Sequence, residues 1–112
     1  MTDHVDGFIA TVPTANQETC RAFAEQAAAM FKEFGATQVV ETWEDDVPEG
    51  KVTSFPMAVQ RKDGESVIFS RIVWPSKAVR EDGWADPRMA DQQMPFDGQR
   101  MIHGGFQTIV DG

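Results

Sequence analysis

An α+β fold, one antiparallel sheet with two helices on one of its faces, is predicted by three observations. Apolar and β-branched runs alternate with two stretches of helical periodicity. Breakers stand between them, at Pro13, Gly35 and Pro75. The chain has 112 residues, enough for one domain spanning 1–112, and is 41% hydrophobic with 10% aromatic residues, enough for a packed core.

The elements follow in order. Val5 to Val12 is a β-branched and aromatic run closed by Pro13, which cannot donate to a sheet ladder. Thr14 with Gln17 three residues on reads as a capping box, and Cys20, Phe23, Ala24, Ala27, Met30, Phe31 and Phe34 recur at helical spacing until Gly35. Ala36 to about Glu44 is a second strand, ended by the loop through Pro48 and Gly50. Phe55 to Arg61 reads as a short strand or a helical turn; as a strand it would form a hairpin through Asp63-Gly64 with the run Ser66 to Trp74. Pro75-Ser76 opens a second helical stretch that Gly83 is expected to split, and Asp86-Pro87 is a cap followed by proline. Arg100 to Val110 is the last strand, with a bulge or a close backbone approach at Gly104-Gly105. This order is that of a ferredoxin-like sandwich.

The run Ser66 to Trp74 is informative about assembly. One parity holds Val67, Phe69, Arg71 and Val73, the other Ile68, Ser70, Ile72 and Trp74, so both faces are mostly apolar. A sheet with one wet face alternates instead. The chain's own helices cover one face, and a second copy is the expected cover for the other, giving a homodimer.

Several blocks together resemble the YbaA-like family of small bacterial proteins, which carry a domain of unknown function. They include Val5-Asp6-Gly7-Phe8, Phe31 to Ala36, Trp43 to Pro48, Gly50 to Thr53, Pro75-Ser76-Lys77, Asp86 to Met89, Met94 to Gly98 and Gly104-Gly105-Phe106. The resemblance spans nearly the whole chain and implies a dimeric α/β barrel, in which two sheets close face to face. It brings no catalytic residues with it.

Composition narrows the function. With 10 Lys+Arg against 18 Asp+Glu the formal charge is −8, a poor match to a phosphate backbone, so no nucleic-acid partner is expected. The lone cysteine, Cys20, excludes an internal disulfide and fits a reducing, cytoplasmic compartment. No apolar run is long enough to span a bilayer and no signal-peptide pattern precedes the first strand, so no membrane association is expected. Two distant histidines and scattered acids match no metal-ligand spacing, and no cofactor or metal is expected.

The polar residues that could carry chemistry are few. Glu41 and Arg71 are polar members of apolar rows and could meet as a charge-assisted pair, which a ligand carboxylate could enter by replacing Glu41 on Arg71. A structural ion pair is the plainer alternative. His103 stands beside Gly104, where an absent side chain leaves room for a ligand, and imidazole is suited to proton transfer; a packed strand histidine is the alternative. Catalytic candidates are thus His103, Arg71 and Glu41, and ligand-binding candidates Trp43, Arg71, His103 and Gly104. His4 is set aside as lying near a frayed terminus. The acidic run Glu41, Glu44, Asp45, Asp46, Glu49 could hold a cation or a basic partner, but reads more simply as a solvated strand end. The expected function is small-molecule binding by a homodimer, with cofactor-independent oxygenase- or isomerase-like chemistry by fold analogy. The alternatives are a non-catalytic interaction module and, more remotely, RNA binding.

Overall fold

The computed structural model describes residues 3–89 and 94–112. Strand β1 (His4–Pro13) leads through a 3-10 turn (Thr14–Asn16) into α1 (Gln17–Glu33), β2 (Gln38–Glu41) and a short α2 (Phe55–Ala58). Then come β3 (Glu65–Trp74), α3 (Lys77–Trp84), a 3-10 turn (Pro87–Met89) and β4 (Ile102–Gln107). The four strands form one antiparallel sheet in the order β2-β3-β1-β4, the expected ferredoxin-like α+β arrangement.

The central pair carries the register. β1 and β3 are matched over their whole length, from His4 opposite Trp74 to Pro13 opposite Glu65. Side chains alternate across the sheet, so Ala10 and Val12 share a face with Ile68, Ser70, Ile72 and Trp74, all buried. Against this face α1 lays Cys20, Ala27 and Phe31, and α3 brings Val79 and Trp84. The other face presents Phe69, Ile102 and Phe106 to solvent, at 45%, 44% and 63% exposure. One end of that open face is overlaid by α2, whose Phe55 ring stands edge-on to Phe69 at 6.1 Å.

Several local expectations are corrected. The first helix has no side-chain cap: Thr14 instead hydrogen-bonds Ser66 at 2.8 Å, tying the end of β1 to β3. Its C-terminus is a Schellman turn, with Gly35 N–H donating to the Lys32 carbonyl, Ala36 N–H to that of Phe31, and Gly35 at φ +110°. Of the two forms left open for this stretch the helical turn is found, at Phe55–Ala58, because Ser54 accepts the Met57 N–H and Pro56 falls in the first turn, where a missing N–H is harmless. Asp63-Gly64 therefore turns the chain into β3 without making a hairpin. The second strand ends at Glu41, although Thr42 and Glu44 still donate to β3 carbonyls. The last strand is shorter than expected and has no bulge: Gly104 and Gly105 continue the ladder opposite Gly7 and Asp6. His4 is not frayed but paired in β1, its Nδ1 buried without a hydrogen-bond partner.

Gly83 does not split α3. A Cβ there would stand 2.7 Å from the Trp74 ring, so the glycine lets the helix lie directly on the indole. Beside it sits a feature that periodicity could not show. Asp6, fully buried, accepts hydrogen bonds from Trp74 Nε1 at 2.9 Å, Trp84 Nε1 at 2.7 Å and Arg80 Nε at 2.8 Å. Burial pushes this carboxyl's pKa up, but the bonds from Arg80, Trp84 and Trp74 outweigh it and hold the group below its ordinary value. Gly105 belongs to the same cluster, since a Cβ there would come within 2.7 Å of the Arg80 guanidinium.

Gly83→Ala is expected to destabilise the protein by about 2 kcal/mol through overpacking against Trp74. In an exposed helix the same change would stabilise by about 1 kcal/mol, so urea denaturation decides by sign. Asp6→Asn is expected to cost about 3 kcal/mol at pH 7, because Arg80 loses its counter-charge. Since the folded-state pKa of Asp6 is depressed, its contribution is full above 3.8, the ordinary value, and is lost as the pH falls below it. The stability gap between wild type and variant should therefore be constant from pH 7 to 5 and close in stronger acid.

Candidate functional site

Between the helix-bearing face of the sheet and α1 lies a cavity of about 460 Å³. Its floor is Phe8 of β1 and Ile68 of β3, and α1 supplies Phe23, Ala24, Ala27, Met30 and Phe31. Trp84 and Met89 close one side, and Phe96 and Met101 another. On α1 the small Ala24 and Ala27 stand among the larger Phe23, Met30 and Phe31, which leaves space between the bulky groups.

Among the described residues four polar side chains reach the wall: Cys20, Glu41, Asp86 and His103. Burial pushes the Glu41 carboxyl above its ordinary value, and the bond that the fully buried Ser70 hydroxyl donates to Oε2 offsets this only in part. The Cys20 thiol is pushed up by burial and by the neighbouring Glu41 charge, which keeps it protonated and a weak nucleophile. Asp86 is occupied by the backbone N–H and guanidinium of Arg88. His103 lies against Trp84 with ring centroids 5.8 Å apart.

The sequence-derived candidates are thus divided between the two faces. Glu41 and His103 line the cavity. Arg71 does not: Glu41 pairs with Ser70 and Arg71 with Val40, so the two charges project to opposite faces and cannot meet. Arg71 donates instead to Gln38 Oε1 at 3.3 Å on the open face. No ligand carboxylate in the cavity can replace Glu41 on it. Gly104, one residue past His103, likewise belongs to the open face, opposite Gly7. Trp43 packs with Ala10, Val12, Cys20 and Ile68 rather than lining the cavity.

The acidic run forms no site of its own. Glu44 takes two bonds from Arg61 Nη1, at 2.9 and 2.7 Å, and the Val67 N–H, while Glu49 binds the same guanidinium. Among the described residues no three His, Cys, Asp or Glu side chains group closely enough to hold a metal ion. No helix is long and apolar enough to cross a membrane, again among the described residues.

Comparison with known proteins adds the following. The Bacillus cereus protein described as a candidate antibiotic biosynthesis monooxygenase superposes with a TM-score of 0.63 at 10% identity, covering 100% of this chain and 98% of its own. At that identity the likeness concerns the fold alone. The uncharacterised protein YbaA of Escherichia coli K12 is 50% identical, over 96% of this chain and 97% of its own length, and the YbaA of Shigella flexneri matches equally. Residues 3–98 match the family of proteins of unknown function DUF1428, and the chain belongs to that family.

Proposed function

We propose that the protein binds a small, largely apolar molecule in the cavity beneath α1, and does so as a homodimer joined through the open sheet face. The observation that carries the first part is the cavity itself. Its volume falls within the roughly 300–1,000 Å³ typical of small-molecule sites, and its wall is apolar apart from a few polar groups. A sandwich meant only for association would fill this space with side chains.

The chemistry available there is acid–base. A carboxyl raised by burial is suited to exchanging a proton closer to neutrality than an ordinary one, and Glu41 is such a group. The oxygenase- or isomerase-like expectation rests on fold analogy, and one fold hosts unrelated chemistries. The proposal is therefore binding, with Glu41 as the proton-exchanging group, and it names no reaction.

The open face supports the second part. Val5, Ile9, Phe69, Val73, Ile102 and Phe106 share it with Arg71, and Glu65 at the start of β3 is neutralised by Arg100, on a chain of net charge −8. Facing another copy buries these side chains while the acids stay outside.

Biphenyl, titrated calorimetrically, is expected to bind with one site per chain. Ala24→Trp, which fills the cavity from α1, should weaken it at least tenfold with an unchanged circular dichroism spectrum; absence of binding to the wild type overturns the cavity reading. In sedimentation equilibrium at micromolar concentration the wild type is expected as a dimer and Phe69→Asp as a folded monomer. A folded wild-type monomer under those conditions overturns the assembly.

A further inference from the structure

The polar groups of the cavity are not scattered. Glu41 pairs with Ser70, Ser70 with Phe8, and Phe8 with His103, so these residues form a single row across all four strands on the helix-bearing face. Glu41 and His103 stand at its two ends, on the outer strands β2 and β4. Three interstrand steps of roughly 4.8 Å separate their backbones by about 14 Å. Between them the floor is Phe8, and the roof is the apolar face of α1.

The two ends are also where hydrogen-bonding capacity is left over. Glu41 Oε2 is taken by Ser70, but Oε1 has no partner among the described residues. At the other end His103, exposed at the cavity's edge and touching Trp84 through its ring, has both imidazole nitrogens open to solvent or to a ligand, with no protein partner among the described residues. The other polar wall groups offer less: Asp86 is held by Arg88, and the buried Cys20 thiol is only a weak donor and acceptor. The sign of charge matters as well. No lysine or arginine lines the cavity among the described residues, so a ligand anion would be desolvated there without a counter-charge from the wall.

We infer that the site is built for an elongated, uncharged molecule with an apolar body and a hydroxyl-type group at each end, one donating to Glu41 and the other bonded to His103. This rests on the small-molecule reading above and narrows it to a ligand class. A short or one-ended ligand makes only one of these two bonds, and an anionic one finds no cationic partner on the wall among the described residues.

The test compares rigid probes of the same body: biphenyl, 4-hydroxybiphenyl, 4,4′-dihydroxybiphenyl and biphenyl-4,4′-dicarboxylate, titrated against the wild type. Affinity is expected to rise about fivefold with each hydroxyl, and the dicarboxylate to bind at least tenfold more weakly than the diphenol. Glu41→Met and His103→Ala should each cut the gain of the diphenol over biphenyl to that of the one-ended probe, whatever either change does to biphenyl itself. If biphenyl and the diphenol bind alike, or the dicarboxylate binds best, the two-ended class is overturned while the cavity reading stands. If none of the probes binds, both fall.

Discussion

The uninterrupted pairing of β1 with β3 is the constraint on which the rest of the molecule depends. Ten residues of each strand are matched, and because side chains alternate with a period of two, that one register decides which half of each strand meets the helices. A slip by a single residue would carry Ile72 and Trp74 to the open face and bring Phe69 and Arg71 under α1. The outer strands take their register from this pair, and with it the placement of Glu41 and His103.

The helix α3 is fixed to this frame by a buried charge rather than by apolar contact alone. Asp6 of β1 brings together the Trp74 indole of β3 with the Trp84 indole and the Arg80 guanidinium of α3, so two strands and a helix meet at one carboxylate. Two glycines make the arrangement possible, Gly83 by letting the helix reach Trp74 and Gly105 by leaving room for Arg80 over β4. The same Trp84 that donates to Asp6 also forms cavity wall and touches the His103 ring, so the ion-pair cluster and the candidate site share a side chain. What holds the fold at this end also shapes the space beneath the helix.

Much of this was legible from the residues, and the failures have physical causes. The α1 periodicity, its Gly35 stop and the two-sided apolar character of Ser66 to Trp74 are local signals, and each is present in the structure. Phe55 to Arg61 was ambiguous because a short apolar run fits a strand as well as a helical turn, and Ser54 with Pro56 settled it locally. Gly83 read as a breaker because an isolated glycine weakens a helix, yet here the space it leaves is filled by an indole ring. Asp6 carried no signal at all. An acid two residues after His4 looks like solvent-facing charge, and its partners lie 68, 74 and 78 residues away.

The sequence by itself determined the class of fold, the surplus of apolar side chains on both faces of β3, and the shortlist containing Glu41, Arg71 and His103. These depend on residue type and on spacing within one element. Only the tertiary structure decided which of them share a site. Pairing Glu41 with Ser70 rather than Arg71 is a matter of one residue in register, and register is set between strands, where spacing along the chain carries no information. That single step separates Arg71 from the cavity and leaves Glu41 and His103 on its wall.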